Sequence, residues 1–250
     1  NGNGIIETAV DLNGDGRVIG SEILPKGSDE CVAFITYPEG NTGFPGTRAV
    51  GVDIENHAWA AYWGSKKLYR LDPDTGAVIR TIPMASVFSG HPYGISFDSL
   101  GRLWFSGRGS GYNNGLAMVD PNVEPAAVSY WSTPGKHNTY GVAVDVYDRV
   151  WLAGGENRKV SRFDPVTQTW LTLDMGGYPY ARGVAATVND DGNARVYVGH
   201  HTWSGSCNSS HYVSVIDADS ASHLGVIDTA SGINARGPVG VAVDSEGFVW

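Results

Sequence analysis

One short pattern occurs five times in this chain and constrains its fold more than any other feature of the sequence. Each copy is a run of small and apolar residues, and in four copies an aromatic residue follows six positions after the aspartate that ends the run. The copies occupy residues 50–59, 94–104, 141–151, the looser 183–197, and 240–250. The glycines that open the last four copies lie 47, 42 and 57 residues apart, which is the period of a propeller blade.

Each repeating unit reads as four short strands. The first is the small-residue run, the second carries the aromatic residue, the third ends in an aspartate, and the fourth is rich in β-branched and aromatic residues. The third strands are expected at 68–72, 116–120, 160–164 and 213–217, and the fourth at 77–82, 127–131, 169–173 and 224–228. No stretch has helical spacing, so the pattern predicts an all-β chain.

We therefore predict an all-β fold, a β-propeller of four-stranded blades with four full blades. Residues 31–37 resemble a fourth strand and residues 240–250 supply a first and a second strand, so one composite blade would be closed by both termini, with more blades if the parent chain is longer. In this division, residues 1–30 form a calcium-loop segment and residues 31–250 form the propeller.

Composition narrows the class of protein and of partner. Apolar residues make up 42% of the chain and aromatic residues 11%, enough to fill the core of one compact body. A net charge of −9 argues against nucleic acid as a partner, because proteins bind the phosphate backbone of nucleic acid with a basic surface. No apolar run approaches the roughly 20 residues of a membrane span. Cys31 and Cys207 either pair or stay free, and the sequence leaves this open.

The strongest chemical motif precedes the repeats. Residues 11–22 match every position of the calcium-loop pattern D-x-[DN]-x-[DN]-G-x5-E. This spacing brings six or more oxygen ligands around one Ca²⁺ ion, and the glycine makes the sharp turn. The expected ligands are the side chains of Asp11, Asn13, Asp15 and Glu22 and the backbone carbonyl of Arg17. The alternative is a pair of Asn-Gly and Asp-Gly turns that bind no metal.

Over about residues 45–250, the chain resembles the streptogramin lyase branch of the NHL-type propellers. The resemblance rests on a repeated order of motifs: G-[IV]-x-V-D, then G-x-[LV]-W, then Asp-Pro. The resemblance implies histidines and a glutamate near a magnesium ion that open a cyclic peptide ester by elimination. The nearest counterparts of those histidines are His91 and His137, which become the candidate catalytic residues. The residue directly before the strand glycine is Tyr93, Tyr140, Arg182 or Val239.

The direction of the strands predicts which end of the ring binds a ligand. Because the strands alternate, the loops that enter the first strands and those that join the second to the third emerge at one end of the ring. Aromatic and arginine side chains around such a concavity suit a polar or sugar-like ligand. We expect the ligand-binding residues to be Arg48, Tyr93, Tyr140 and Arg182 at the channel mouth, with Tyr112 and Trp203 farther out. Trp63, Arg108, His200 and His201 also fall in this outer group.

Several of these residues have structural alternatives. His91 and His137 are equally explained as loop residues bonded to backbone, and the adjacent His200 and His201 would point to opposite faces of a strand. The aromatic residues of the second strands are expected to pack between blades, and Arg182 is expected to be an exposed loop residue.

The function expected from the sequence is that of an extracellular or cell-surface, calcium-stabilised propeller that recognises a polar small molecule, a glycan or a protein partner. Two alternatives from other classes remain: a metal-assisted lyase of the streptogramin type, and a structural subunit of a surface or filament.

Overall fold

The computed structural model describes residues 10–15, 20–24, 35–40, 46–88, 90–109, 115–136, 138–155, 157–201, 211–229, 237–244 and 246–250. Within these residues, sixteen strands form four antiparallel sheets of four strands each. The helical segments described are two single 3-10 turns, Gly20–Glu22 and Pro134–Lys136. None of the described helices is long and apolar enough to cross a membrane.

Each sheet is a meander of consecutive strands and forms one blade. Blade 1 contains β1 (Thr47–Val52), β2 (Ala58–Tyr62), β3 (Lys67–Leu71) and β4 (Val78–Pro83). Blade 2 contains β5 (His91–Phe97), β6 (Leu103–Arg108), β7 (Gly115–Asp120) and β8 (Ala127–Ser132). Blade 3 contains β9 (Val142–Val144), β10 (Val150–Ala153), β11 (Lys159–Asp164) and β12 (Thr169–Asp174). Blade 4 contains β13 (Tyr180–Val188), β14 (Ala194–His201), β15 (Tyr212–Asp217) and β16 (Ser222–Asp228).

The fifth repeat, residues 240–250, folds as the beginning of a further unit. Ala242 and Trp250 exchange two backbone hydrogen bonds of 3.0 and 2.9 Å, and Val243 forms a β-bridge with Val249. The architecture thus confirms the predicted all-β propeller. The strand expected at 31–37 lies largely outside the described residues, as do Cys31 and Cys207 and the boundary set at residue 30.

The second-strand tryptophans form the core between blades, as predicted. Trp59 of blade 1 belongs to one buried cluster with Leu103 and Phe105 of blade 2. Trp151 of blade 3 likewise packs in a cluster with residues of blade 4, such as Val196. Trp59 is 1% exposed and Trp151 is fully buried, so each indole seals the seam to the following blade.

A hydrogen bond explains why the tryptophan follows its aspartate by six residues. The aspartate closes the turn between the first and second strands, and its Oδ2 atom accepts the indole Nε1–H at 2.8 Å in every pair. Buried indole N–H groups need such a partner, because an unpaired one costs free energy. The pairs are Trp59 with Asp53, Trp104 with Asp98, Trp151 with Asp145 and Trp250 with Asp244.

Blade 4 departs from this spacing because its first hairpin is longer. Ten residues separate Gly141 from Trp151, whereas fourteen separate Gly183 from Tyr197, so each strand gains two residues. Tyr197 still pairs across the hairpin and is buried, but the turn has moved away from it. Six residues after the turn residue Asn189 stands Arg195 instead of a tryptophan.

The first strands approach one another closely around the axis. A Cβ atom on Gly141 would lie 2.6 Å from the carbonyl oxygen of Arg182, and one on Gly183 would lie 2.7 Å from the backbone nitrogen of Val241. Only glycine fits at such distances. The small residues of the repeat therefore allow the four first strands and the fifth repeat to gather around a narrow channel.

Candidate ligand site at the channel mouth

A cavity of about 270 Å³ opens where the first strands begin, and we call this place the channel mouth. All five repeats contribute to its wall, because each supplies the start of its first strand. The described residues that line it include Arg48, Tyr93, Tyr140, Gly183 and Val239. Three of the predicted ligand-binding residues thus share one concavity.

Two tyrosines form the centre of the mouth. Tyr93 donates its phenolic hydrogen to the Tyr140 oxygen over 2.6 Å, and the ring centroids are 4.2 Å apart. Burial, together with the hydrogen bond from Tyr93, raises the pKa of Tyr140. Tyr140 therefore stays neutral at physiological pH and keeps its own hydroxyl hydrogen as a donor.

Three arginines lie against these two rings. The guanidinium carbon of Arg48 is 5.5 Å from the Tyr93 centroid, and that of Arg182 is 4.6 Å from the Tyr140 centroid. Arg108 lies over both rings, at 5.5 and 5.4 Å. Cation–π contacts of this kind hold a guanidinium in a fixed orientation.

Arg182 is not the exposed loop residue that the sequence led us to expect. It belongs to β13, whose extended hairpin begins at Tyr180, and it is only 1% exposed. Its carbonyl accepts the backbone N–H of Gly141 at 3.0 Å, which ties it to blade 3. The expectation was wrong because Arg182 lies within the first strand, against the Tyr140 ring, and not in the loop before the strand.

Trp63 and Arg108 reach the central tyrosines, although the sequence placed them farther out. Each lies four residues after its blade tryptophan, Trp59 or Trp104. In β6, this position pairs with the start of the neighbouring first strand, where Arg108 lies opposite His91. The offset of four residues is the sequence signal that would have found both.

His91 packs against Trp63 beside the mouth. Its ring stacks on Trp63 at a centroid distance of 4.6 Å and an angle of 10°, and its Nδ1 atom lies 2.6 Å from the Trp63 carbonyl oxygen. This contact matches the structural alternative of a histidine bonded to backbone. His137, Tyr112 and Trp203 lie outside the described residues.

His200 is a core residue. It is fully buried, with Nδ1 2.9 Å from the Pro179 carbonyl oxygen and Nε2 2.8 Å from Ser214 Oγ. Both ring nitrogens are therefore occupied by protein groups, and burial lowers the pKa of the imidazole. His200 is unsuited to binding a metal.

The opposite end of the ring carries the acidic turns. In blade 1, one ligand atom each of Asp53, Glu55 and His57 lies within 4.8 Å of the others, a spacing that a metal ion would accept. Arg70 occupies that position instead, with Nη2 3.0 Å from Asp53 Oδ2 and 2.9 Å from His57 Nδ1. Burial alone would raise the pKa of Asp53, but hydrogen bonds from Trp59 and His57 and the charge of Arg70 lower it. This cluster is structural.

The described part of the calcium-loop motif folds back on itself. Glu22 is 7% exposed, and its Oε1 atom accepts the backbone N–H groups of Leu12 and Asn13, each at 3.1 Å. Asp11 Oδ1 accepts the N–H of Gly14 at 2.7 Å. The first and last acidic residues of the motif thus meet the same short backbone segment. Arg17 lies outside the described residues.

No protein-family model matches the chain, and a search of the curated proteins gives no match. Among solved structures, the chain is similar to virginiamycin B lyase from Staphylococcus aureus, with a TM-score of 0.63 and 13% identity over 82% of this chain and 62% of the lyase. A catalytically inactive form of that lyase with quinupristin gives a TM-score of 0.62 and 14% identity, over 84% of this chain and 62% of the lyase.

A further match is the extracellular domain of a one-component system from B. thetaiotaomicron, with a TM-score of 0.55 and 12% identity over 82% of this chain and 26% of that one. The chain spans 62% of the length of the two lyase structures. At these identities the similarity concerns the fold alone: this chain is a β-propeller with streptogramin-lyase-like architecture.

Proposed function

We propose that this protein is a propeller module that recognises a polar ligand at the channel mouth. One observation carries the proposal: Arg48, Tyr93 and Tyr140 line a cavity to which all five repeats contribute, and Arg108 lies over both tyrosine rings. The buried core between blades is formed by the second-strand aromatics, whereas these side chains meet at the open end of the channel. A cavity of this size suits a small molecule or the end of a glycan chain or peptide.

We place the protein outside the cell, either secreted or on the cell surface. The support is twofold: a structural neighbour is an extracellular domain, and the calcium-loop motif suits the calcium-rich extracellular medium. Calcium is proposed as a structural ion, held by Asp11, Asn13, Asp15, Glu22 and the carbonyl of Arg17. The donor set consists of oxygens, which Ca²⁺ prefers, and the fold-back of Glu22 onto residues 12 and 13 fits such a loop.

A thermal-shift panel of polar small molecules and oligosaccharides tests the recognition function. Compounds that stabilise the protein are repeated on Arg48→Ala, which removes an exposed side chain at the mouth, and on Arg80→Ala, which removes the same type of side chain from outer strand β4. We expect the shift to vanish in the first variant and to persist in the second. Equal shifts in both variants would place the ligand elsewhere.

A lyase reaction has less support than recognition. His91 is engaged with the Trp63 backbone, and the three-residue cluster with metal-ligand spacing in the described part of the chain lies at the opposite end. Incubation with quinupristin, the compound bound in a neighbouring lyase structure, tests this alternative. Ring opening seen by mass spectrometry, and lost on His91→Ala, would establish it. The structural-subunit alternative predicts self-assembly, which light scattering would detect.

A further inference from the structure

The described arginines at the two ends of the ring have different surroundings. At the acidic-turn end, two arginines pair with the aspartate that closes their own turn: Arg102 with Asp98 at 2.6 Å and Arg149 with Asp145 at 2.9 Å. These arginines complete the turns that hold the tryptophans. Their contacts account for their presence by structure alone.

The arginines of the mouth share a different contact, because Arg48, Arg108 and Arg182 all lie against the faces of Tyr93 and Tyr140. The two rings therefore serve to orient guanidinium groups, and the faces that a sugar would stack on are taken by cations. The described residues that line the cavity are otherwise glycine, alanine, valine and isoleucine. The mouth thus gathers positive charge and hydroxyl donors in a largely apolar wall.

We propose that the ligand recognised at the mouth is an anion, a polar molecule whose carboxylate, phosphate or sulfate group is bound by Arg48 and Arg108 with the hydroxyl of Tyr140. This rests on the proposed function and specifies its ligand class. Arg48 is exposed and lines the cavity, and the half-buried Arg108 lies over the rings of the two tyrosines that line it. Arg182 lies beneath the Tyr140 ring and adds positive potential without being exposed.

The chemistry favours oxyanions for two reasons. A guanidinium offers planar, paired N–H donors that match two oxygens of one carboxylate or phosphate group. A guanidinium held by ring stacking also loses less conformational freedom when it binds, so its hydrogen bonds contribute more to affinity. The hydroxyl of Tyr140 adds a neutral donor, since the raised pKa keeps that phenol protonated.

A matched series of sugars tests the proposal by isothermal titration calorimetry. The probes are glucose, glucuronate and glucose 6-phosphate, which share one ring and differ in charge, together with inorganic phosphate. We expect at least one of the charged sugars to bind at least about tenfold more tightly than glucose, since charge-assisted hydrogen bonds add that much. The affinity should fall as salt concentration rises.

Variants test which arginines bind the charged sugar. Arg48→Gln and Arg108→Gln should each weaken binding of the charged sugar by at least about tenfold, whereas Arg48→Lys, which keeps the charge, should weaken it less. Arg80→Gln removes one positive charge outside the cavity and should leave the affinity unchanged. Melting temperatures of all variants are measured alongside, so that loss of binding is separated from loss of folding.

Two results would overturn the anion proposal. If glucose binds as tightly as both charged sugars, the mouth recognises neutral ligands, and the proposed recognition function stands without the charge preference. If none of the four probes binds, the anion proposal fails, and the wider thermal-shift panel then decides whether recognition at the mouth survives. Binding of inorganic phosphate alone would support an anion site that makes no favourable contact with the sugar ring.

Discussion

At the scale of single residues, the aspartate–tryptophan pair is the unit that builds this fold. Asp145 shows the full set of contacts. Its Oδ1 atom accepts hydrogen bonds from the backbone N–H groups of Tyr147 and Arg149, and its Oδ2 atom accepts them from the side-chain N–H groups of Arg149 and Trp151. One carboxylate therefore shapes the turn and holds the indole in the seam between blades. The fixed interval in the sequence is the reach of this side chain across one hairpin.

Burial should decide how much this pair contributes to stability. Trp151→Ala should lower the free energy of unfolding by roughly 3–5 kcal/mol through the cavity it leaves. Trp151→Phe removes the buried N–H donor and part of the ring, so it should cost roughly 1–3 kcal/mol. Trp250 makes the same 2.8 Å bond while 77% exposed, which makes it the matched control.

Denaturant unfolding of the Trp151→Phe and Trp250→Phe variants measures this contrast. We expect the first to shift the unfolding midpoint clearly and the second to leave it almost unchanged. Equal shifts would show that the hydrogen bond, rather than its burial, sets the contribution.

The buried imidazole of His200 predicts a loss of stability in mild acid. Its pKa in the folded protein lies below its ordinary value of 6.5, because burial disfavours the charged ring. The unfolded chain then binds a proton more readily than the folded protein once the pH falls below about 6.5. The free energy of unfolding should therefore fall as the pH drops from about 6.5 to the folded-state pKa, and should be independent of this group above about 6.5.

His200→Gln should flatten this dependence. Burial, and then the charge of Arg182, also lowers the pKa of His201, so part of the slope should remain in the single variant. Unfolding curves recorded between about pH 7 and pH 5 test the prediction. A slope identical to that of the parent protein would show that His200 is not the titrating group.

At the scale of elements, the sequence predicted the bounds of the strands better than the side-chain contacts between blades. The expected third and fourth strands agree with the observed ones to within two residues, because each is bounded by turn residues that the repeat displays. The contacts of Arg182 and the outer residues were less predictable. They depend on side-chain stacking between blades, which has no local signal in the sequence.

The calcium-loop segment is the element whose contribution is most directly measurable. An ion bound only by the folded loop stabilises it by mass action, by about 4 kcal/mol for millimolar calcium and a micromolar dissociation constant, provided the loop unfolds with the propeller. Asp11→Ala should remove most of this gain. Melting curves with calcium and with chelator, for both proteins, provide the test. Identical curves for the parent protein would refute calcium as a stabilising ion.

At the scale of the whole molecule, the two ends of the ring have separate roles. The acidic turns at one end hold the tryptophans and maintain the blades, whereas the mouth at the other end gathers arginines around two tyrosines. Alternation of strand direction was enough to predict that Arg48, Tyr93 and Tyr140 share an end. How closely they pack, and which face each ring offers, follows from the narrow channel that the glycines permit.

The most direct measurement is the mapping of amide chemical-shift changes by NMR when a ligand from the panel or the sugar series is added. Binding at the mouth should move the resonances at the starts of the first strands, around Arg48, Tyr93 and Tyr140, and leave the turns at Asp53 and Asp98 unmoved. Arg48→Ala should abolish the changes without altering the melting temperature. Changes centred on the acidic turns, or unaltered in that variant, would contradict a recognition site at the channel mouth.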